Sequence, residues 1–258
     1  MGNSGLICYT KLSPNHSGQR THAIDRITPH CVVGQLSCET ICDCFPAGRN
    51  ASCNYGIGKD GRISLCVEEK NRSWCSSSNT NDQRAVTIEC ASDKSEPYAM
   101  TTAVYASLVK LCVDICKRNG KKKLLWFGDK AKTLAYNPAA DEMVITVHRW
   151  FANKSCPGDW LYSRLGDLAA QVTAQLSGSN GMSGSAGFPA TPFQVRVIVS
   201  DLNIRKQPCM GNNTTGKYTG KGVFTIVEVK DGWGKLKSAA GWIWLKNSNY
   251  CTVLNTVG

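Results

Sequence analysis

Two stretches of the chain carry apolar residues at helical spacing. The first stretch contains Val104, Leu108, Leu111 and Ile115. The second, residues 160–176, contains Leu161, Leu165, Leu168, Val172 and Leu176. Residues three or four apart share one face of an α-helix, so each stretch predicts a helix with a buried apolar face. Gly120 is predicted to end the first helix, because the basic Lys117 and Arg118 before it suit a helix C-terminus.

The segment RAVTIECAS alternates between apolar and polar positions, which is typical of a β-strand. Val86, Ile88 and Cys90 point to one side of this strand, whereas Thr87 and Glu89 point to the other. Strands disfavour glutamate, and burial of its charge is costly. Either this second side lies in water, or Glu89 points into a functional site.

Further segments of the first 176 residues add strands, a turn and a short helix. Strands are predicted around Pro29 in AIDRITPHCVVG, in LLWFGDKAK and in DEMVITVHRWF. The turn KDGR, in which Gly61 supplies a positive φ, predicts a β-hairpin. Ser37 and Thr40 predict a short capped helix. Helices and strands therefore alternate through residues 1–176, which predicts an α/β domain around a mixed sheet.

The remaining residues divide into a linker and a β-rich region. Residues 177–192 are small, uncharged and rich in Gly and Ser, and Pro189 and Pro192 stiffen their end. Residues 193–258 contain six short strand-like segments: QVRVIV, LNIRK, KGVFTIVEVK, WGKLK, GWIWLK and YCTVL. So many short strands in a small region predict a small all-β barrel.

Charge is unevenly distributed along the chain. Thirty Lys and Arg residues stand against 19 Asp and Glu residues, for a net charge of +11. Residues 193–258 hold nine basic and three acidic residues, so positive charge is densest there. This bias favours a polyanionic partner such as nucleic acid, acidic lipid or an anionic cell wall. No apolar run approaches the ~18 residues of a membrane-spanning helix, so stable membrane insertion is not expected.

The N-terminal segment has neither the long apolar run nor the cleavage site of a signal peptide. We therefore expect synthesis in the cytoplasm, with a separate route of release if the protein acts beyond the membrane. The chain has 14 cysteines, and without an export signal we expect them to be reduced. Most should be small buried apolar residues, although Cys38, Cys42 and Cys44 offer a structural metal site as an alternative.

The segment VHRWFANKSCPGDW places His148, Lys154 and Cys156 within nine residues. Imidazole and thiolate are preferred zinc ligands, and a lysine between them can stabilise a developing negative charge. Two ligands do not hold a metal, so this interpretation needs a third ligand, for which His30 in RITPHC is the candidate. Taken alone, His30 fits a hydrogen-bonded structural histidine better than a metal ligand.

Five segments of residues 20–165 carry a family resemblance: ITPHCVVGQLS, NYGIGKDGRI, NRSWCSSSNTNDQRAVTIECAS, DICKRNG and HRWFANKSCPG. In this order they resemble the zinc-dependent N-acetylmuramoyl-L-alanine amidases of the peptidoglycan-recognition and phage-lysozyme-like superfamily. The C-terminal region resembles bacterial SH3-like wall-binding domains through DLNIRKQP, TGKGVFTIVEVKDGWGKLK and GWIWL. The pairing of the two regions is similar to that of endolysins from phages and prophages of low-GC Gram-positive hosts, particularly clostridia.

The resemblance implies an enzyme that cleaves the amide bond between N-acetylmuramic acid and the L-alanine of the peptidoglycan stem peptide. It implies that His30, His148 and Cys156 bind Zn2+ and leave a fourth position open. The ion would lower the pKa of a bound water and polarise the scissile carbonyl. Glu89 would be the catalytic base, and Lys154 would stabilise the oxyanion.

Other positions have weaker family counterparts. One branch of the family uses a tyrosine just before the hairpin, and Cys53 stands in its place here, which favours Glu89 as the base. Trp74 and Asn81 lie on the segment that commonly lines the substrate groove. Judged without the family, Trp74 equally fits an exposed substrate platform and a hydrophobic plug.

The resemblance divides the chain into a catalytic domain over residues 1–176, a linker over residues 177–192 and a wall-binding domain over residues 193–258. The expected partner is the peptidoglycan of a Gram-positive cell wall, with teichoic acid drawn to the basic surplus. The aromatic residues expected to contact the wall are Tyr218, Trp233, Trp242 and Trp244, and each tryptophan fits the core of a barrel equally well. Nucleic acid is not expected, because no nucleic-acid-binding motif is present.

Two rival functions use the same residues differently. One is a wall peptidase with Cys156 as nucleophile and His148 as base. Chain order argues against it, because the cysteine of such peptidases comes first and begins a helix. The other is a non-catalytic peptidoglycan-recognition protein on the same fold. Such proteins typically lack the third metal ligand, which is present here as Cys156.

Overall fold

The computed structural model describes residues 2–177, 188–208, 214–230, 232–246 and 250–254. The chain forms two compact units, Met1–Asn180 and Gly181–Gly258. Most of the predicted linker, residues 178–187, lies outside the described residues. None of the helices in the described part of the chain is both long and apolar enough to cross a membrane.

Within residues 2–177 the first unit forms nine β-strands and six α-helices. The strands are β1 (Ile7–Thr10), β2 (His16–Gln19), β3 (Arg26–Cys31), β4 (Tyr55–Ile57), β5 (Ile63–Leu65), β6 (Asn71–Ser73), β7 (Ala85–Cys90), β8 (Lys123–Leu125) and β9 (Glu142–Ile145). The helices are α1 (Cys38–Asp43), α2 (Asn79–Arg84), α3 (Thr102–Arg118), α4 (Lys130–Ala135), α5 (Asp159–Tyr162) and α6 (Leu165–Leu176).

Seven of these strands form one sheet in the order β1-β5-β4-β7-β3-β9-β8. Strands β4, β7, β3, β9 and β8 pair in parallel, whereas β5 runs antiparallel to β4 and carries the parallel edge strand β1. The predicted mixed sheet of an α/β fold is therefore confirmed. Because β3, β7 and β9 run in the same direction, their C-terminal ends meet at one edge of the sheet.

The two faces of the sheet differ in polarity. Ile27 of β3, Ile88 of β7 and Ile145 of β9 belong to the main apolar core, which also contains the buried residues of α3 and α6. Side chains alternate along a strand, so the neighbours of these residues point to the opposite face. Those neighbours include Thr28 and His30 on β3, together with Thr87 and Glu89 on β7 and Thr146 beyond β9. The candidate chemistry thus lies on the polar face.

Asn81 of α2 is the centre of a buried hydrogen-bond network on this polar face. Its Nδ2 donates to Thr28 Oγ1 at 3.0 Å and to Ser76 Oγ at 3.1 Å. Its Oδ1 accepts from Arg26 at 3.1 Å and from Thr146 Oγ1 at 3.0 Å. Asn81 is fully buried, so one amide satisfies polar groups of β3, of the segment after β9 and of the loop before α2.

A second buried network holds the N-terminal segment against the sheet. Glu69 has no exposed surface and pairs with Arg118 at the end of α3. Tyr55 Oη donates to Glu69 Oε1 at 2.6 Å and accepts from the backbone amide of Ser4 at 2.9 Å. The guanidinium of Arg118 also donates to the carbonyl of Gly2 at 2.6 Å. These contacts satisfy a buried charge that would otherwise destabilise the fold.

The structure departs from two of the predicted elements. The helix predicted over residues 160–176 is divided into α5 and α6 at Ser163 and Arg164, where the Arg164 amide donates to the Leu161 carbonyl at 2.9 Å and its guanidinium donates to the Trp160 carbonyl at 2.8 Å. The strand predicted in LLWFGDKAK ends at Leu125, and α4 follows. Asp129 begins α4 because its Oδ1 accepts from the Lys132 amide at 2.7 Å.

The second unit is an antiparallel sheet in its described residues, in the order β12-β11-β15-β14-β13-β10-β16. Its strands are β10 (Phe193–Val197), β11 (Asn203–Arg205), β12 (Thr214–Tyr218), β13 (Gly222–Lys230), β14 (Trp233–Leu236), β15 (Trp242–Trp244) and β16 (Cys251–Leu254). Gly241 directly precedes β15 at φ +138, and a Cβ there would lie 2.3 Å from the Arg205 carbonyl oxygen. The all-β character is confirmed, whereas the SH3-like barrel stays a prediction.

The first prediction concerns Asn81. We expect Asn81→Ala to lower the free energy of unfolding by about 2–3 kcal/mol, because several buried polar groups lose their partner. Urea unfolding in the presence of a chelator should measure this change, so that metal binding does not contribute to stability. Asn79→Ala is the control, since Asn79 lies exposed in the same helix. Equal stabilities of the two variants would contradict the structural role of Asn81.

Candidate metal centre

His30 projects from the end of a central strand. It is the fifth residue of β3, pairs in register with Glu89 of β7 and is 1% exposed. β7 pairs with β3 along its whole length, including His30, and β9 pairs with the start of β3, so the imidazole is presented by a rigid element. His30 therefore lies near the C-terminal end of β3, where the ends of the parallel strands meet.

His148 and Cys156 reach the same place through a closed loop. β9 ends at Ile145, and His148 begins a 3-10 turn over His148–Trp150 rather than continuing the strand. The amide of Arg149 donates to the Cys156 carbonyl at 3.1 Å, which closes the loop between the two candidate ligands. Gly158 then turns the chain at φ +80, where a Cβ would lie 2.8 Å from Tyr98.

The three predicted ligands converge in space. One donor atom from each of His30, His148 and Cys156 lies within 4.8 Å of the other two. Cys156 Sγ is 3.3 Å from His30 Nδ1, and the two imidazole rings are 5.1 Å apart at their centroids. Two imidazoles and one thiolate form a donor set of catalytic zinc, so the arrangement fits this metal.

Burial sets the protonation states of these ligands without a metal. Burial, and then the charge of His148, lower the pKa of His30 well below its usual value. Burial, and then the charge of Lys154, lower the pKa of His148. Both imidazoles are therefore neutral at pH 7, which is the form that binds metal. A hydrogen bond with Cys31, and then burial, raise the pKa of Cys156, so metal binding must displace its thiol proton.

Glu89 lies beside His30 on the adjacent strand. It is half-buried, and its Oε2 is enclosed without a hydrogen-bond partner. Cys75 Sγ is 3.8 Å from its Oε1. Burial raises the pKa of Glu89 to about 7, while the thiol of Cys75 and the charge of Arg49 act in the opposite direction. Of the two alternatives left open by the strand pattern, Glu89 points into a site, because Thr87 on the same face is fully buried.

Lys154 lies on the exposed part of the loop between His148 and Cys156. After burial, the charge of Lys154 is the second cause of the lowered pKa of His148. It also borders an open polar pocket that is lined by Glu96, Arg149, Asn153, Lys154, Ser155 and Asp159. Lys154 therefore flanks the three converging donors and is not one of them.

The two predicted groove residues lie at different depths. Trp74 is half-buried, and its Nε1 donates to Ser17 Oγ at 2.7 Å. Asn81 has no exposed surface and its amide is engaged in the buried network described above, so it is not placed to make the predicted direct contact with substrate. Cys53, which stands where one family branch has a tyrosine, is fully buried among Cys42, Cys66 and neighbouring apolar residues.

The cluster of Cys38, Cys42 and Cys44 does not form a metal site. In the described part of the chain, neither of the two groups of side chains that could hold a metal includes these cysteines. Cys38 and Cys42 are buried, and Cys42 packs with Phe45 around α1. They behave as the small buried apolar residues that the sequence predicts.

The loop before α2 brings two residues to the site that sequence reasoning missed, Cys75 and Ser77. Ser77 Oγ lies 2.9 Å from His148 Nε2, and the backbone of Ser77 has a φ of +61. Asp82 fixes this loop, because its carboxylate accepts from the amides of Cys75 and Ser76 at 3.0 and 3.2 Å. The one available signal was Ser78, which is the N-cap of α2.

In the second unit the predicted wall-contact residues differ in exposure. Tyr218 is 57% exposed, whereas Trp233 and Trp242 are 3% and 8% exposed. Trp233 packs against Trp244 with a centroid distance of 5.0 Å, and Arg205 lies 5.6 Å from the centroid of the Trp233 ring. Of the four predicted wall-contact residues, Tyr218 and the half-buried Trp244 therefore offer most of the exposed surface.

Comparison with known proteins identifies a family. The family described as N-acetylmuramoyl-L-alanine amidase matches residues 20–159, more than half of the chain. No curated protein matches. Solved structures with a similar fold include PlyL, at 14% identity and a TM-score of 0.46 over 64% of this chain and 95% of that chain. Staphylococcus aureus hydrolase AmiA in complex with its ligand has 14% identity and a TM-score of 0.44, over 66% and 84%. The Ph2119 endolysin from Thermus scotoductus MAT2119 bacteriophage Ph2119 has 16% identity and a TM-score of 0.40, over 62% and 99%.

We predict that Cys156→Ser loses bound zinc at least severalfold, because a hydroxyl is a much weaker zinc ligand than a thiolate. Elemental analysis after dialysis against zinc-free buffer measures the loss. Cys8→Ser, at an exposed cysteine on the sheet edge, should keep the wild-type zinc content. Full retention of zinc by Cys156→Ser would contradict the assignment of this ligand.

A second prediction follows from the raised pKa of Glu89. Without metal, the folded state keeps the Glu89 proton up to about pH 7, whereas the unfolded chain loses it near the ordinary value of 4.5. The folded state therefore holds more protons in this range, and Glu89 makes the metal-free protein less stable as pH rises through it. Glu89→Gln removes this loss of stability at higher pH, because glutamine does not ionise.

Melting temperatures in a chelator at about pH 5 and about pH 8 test this pH dependence. The advantage of Glu89→Gln over wild type should be larger at the higher pH. Glu96→Gln, at an exposed glutamate, should show no such trend. Parallel curves for wild type and Glu89→Gln would show that burial does not raise the Glu89 pKa.

Proposed function

The chain belongs to the N-acetylmuramoyl-L-alanine amidase family, and on this premise we propose that it is a zinc-dependent peptidoglycan hydrolase. It cleaves the amide bond between N-acetylmuramic acid and the L-alanine of the stem peptide. The observation that carries the proposal is the convergence of His30, His148 and Cys156, with Glu89 in register beside His30. A recognition protein without catalysis has no need of this complete donor set.

His30, His148 and Cys156 would hold the zinc ion and leave one coordination position for substrate or water. When bound, zinc supplies Lewis-acid chemistry, which polarises a carbonyl group and acidifies water. The rigid β3 strand orients His30, and the closed loop after β9 orients His148 and Cys156. Pre-positioned ligands keep the geometry of the site unchanged during the reaction.

Glu89 is the proton carrier in this proposal. Its carboxylate accepts a proton from the water whose oxygen attacks the amide carbonyl carbon. It then donates that proton to the departing amino group of L-alanine as the carbon–nitrogen bond breaks. The unpartnered Oε2 of Glu89 supports this role, because no protein group competes for the proton.

Lys154 stabilises the negative charge that develops on the carbonyl oxygen. Its ammonium is exposed beside His148 and carries a charge strong enough to lower the pKa of that imidazole. One donor of this kind contributes about 10²–10³ in rate. Trp74, which is half-buried beside the site, contacts the substrate in the groove.

The second unit targets the enzyme to the cell wall as an SH3-like domain. Its basic surplus favours the anionic wall of a Gram-positive host and its teichoic acid. Tyr218 offers an exposed aromatic surface for wall peptide or glycan, and Trp233 and Trp242 support it from the core. With both activities the protein acts as an endolysin of a clostridial-type phage or prophage, made in the cytoplasm and reaching the wall after release.

One contact favours a second candidate function, a wall peptidase with Cys156 as nucleophile. Cys156 Sγ lies 3.3 Å from His30 Nδ1, so the base would be His30 rather than His148. The raised pKa of Cys156 opposes this function, because a nucleophilic cysteine needs a lowered pKa. Inactivation by a chelator and recovery with zinc favour the amidase, since a thiol nucleophile is indifferent to both.

Digestion of purified walls tests the reaction. Wild-type protein should release new amino termini of L-alanine without new reducing sugars, because the bond cleaved is an amide. Glu89→Gln should keep its zinc and its fold, while turnover falls by about 10²–10⁴ through loss of the general base. New reducing ends would identify a glycosidase instead. A turnover of Glu89→Gln within a few-fold of wild type would assign the base to another group.

Truncation after Ser177 tests the role of the second unit. The remaining unit has its own apolar core, so it should fold and cleave soluble muropeptides at the wild-type rate. It should bind whole walls less tightly, because tethering raises the local concentration of the catalytic unit on its substrate. Co-sedimentation with walls measures this difference. Equal wall affinity of the truncated and full-length proteins would refute a targeting role.

A further inference from the structure

A second set of metal-compatible side chains adjoins the first. One donor atom from each of His30, Cys75 and Glu89 lies within 4.8 Å of the other two. An imidazole, a thiolate and a carboxylate are all zinc ligands, and the thiolate selects against harder cations such as Mg²⁺ and Ca²⁺. The set shares His30 with the three proposed zinc ligands and also contains Glu89, the proposed base.

Two atoms of this set are buried without a hydrogen-bond partner. They are His30 Nε2 and Glu89 Oε2. Buried polar atoms nearly always have a partner, so two neighbouring exceptions call for a ligand. His30 Nδ1 already lies 3.3 Å from Cys156 Sγ. The imidazole therefore has one nitrogen beside the first set and a second nitrogen that no protein atom engages.

The three side chains are held in place without a metal. His30 and Glu89 are register partners on the neighbouring strands β3 and β7. The backbone amide of Cys75 donates to Asp82 Oδ2 at 3.0 Å, and its Sγ lies 3.8 Å from Glu89 Oε1. A site that exists before metal arrives binds it without the cost of ordering a loop.

We propose that Cys75, Glu89 and the Nε2 of His30 form a second site for zinc or a similar transition metal, and that its occupation inhibits the enzyme. Occupation of the second site after the first removes the thiol proton of Cys75, the remaining ring proton of His30 and any proton that Glu89 still holds, and these protons pass to solvent. It also brings two cations close together. The second site therefore binds more weakly than the first and fills only when metal is in excess.

Inhibition follows from the position of Glu89. A carboxylate that coordinates a metal is a much weaker base, because the cation favours its deprotonated form. The second ion therefore stops the reaction although the catalytic ligands keep their own ion. The predicted inhibition rests on the proposed function, whereas metal binding by Cys75 does not. Cys75 is neither a member of the first donor set nor the proton carrier, so a Cys75 variant should keep measurable activity at low zinc, and inhibition by excess zinc is judged for each protein against its own activity at low zinc.

Zinc titration of the full-length protein tests the proposal with Cys75→Ala. Cys44→Ala is the matched control, because Cys44, like Cys75, is a half-buried cysteine packed against the buried residues around Cys53 and Cys66, and it belongs to neither donor set. Equilibrium dialysis should find two zinc ions on wild type and Cys44→Ala, and one on Cys75→Ala. Excess zinc should inhibit wall digestion by the first two proteins and not by Cys75→Ala.

Cobalt gives a readout that is independent of activity. In wild type, the second equivalent of Co²⁺ should add a thiolate-to-metal absorption band, and Cys75→Ala should lose this increment alone. Cys75→Ser replaces Cys75→Ala if circular dichroism shows that the alanine variant is unfolded. A single equivalent in wild type, or unchanged inhibition in the Cys75 variant, would overturn the proposal. Two equivalents in a protein that does not digest walls would uphold the site and reject the proposed function.

Discussion

The polar face of the central sheet is the constraint on which the site depends. Three neighbouring parallel strands place Ile27, Ile88 and Ile145 in the apolar core. Because side chains alternate along a strand, the polar residues next to them lie on the opposite face of the sheet. Buried polar groups need partners, and Asn81 supplies them to two of these segments and to the loop before α2. The contacts that satisfy the face also hold the strand ends from which the donors project.

Burial gives the donors a nearly uncharged state before metal arrives. The imidazoles are neutral, the thiol of Cys156 keeps its proton and the carboxyl of Glu89 has a raised pKa. This state costs least in a site of low dielectric constant. A divalent cation reverses this preference for uncharged donors, because it stabilises the charged thiolate and carboxylate. Any metal that binds these donors must therefore displace their protons.

His30 couples two donor sets through one rigid ring. Its Nδ1 lies beside Cys156, and its Nε2 is enclosed without a partner. Pairing with β7 along the whole of β3 fixes the backbone that carries the ring. The loop before α2 reaches both donor sets, since Ser77 contacts His148 and Cys75 contacts Glu89. Asp82 holds this loop through the amides of Cys75 and Ser76, and Asn81 bonds to Ser76 in the same loop.

The sequence by itself determined the elements with strong periodicity and the identities of the candidate ligands. The helix ending at Arg118 and the strand carrying Glu89 follow from apolar spacing, and the family resemblance singled out His30, His148 and Cys156. Only the tertiary structure decided that Asn81 is buried and that Cys75 and Ser77 reach the site. Their roles depend on contacts between residues far apart in the chain, as between His30 and Cys156, 126 positions away. Local patterns report which face a residue takes on its own element, whereas burial and proximity arise only when separate elements pack.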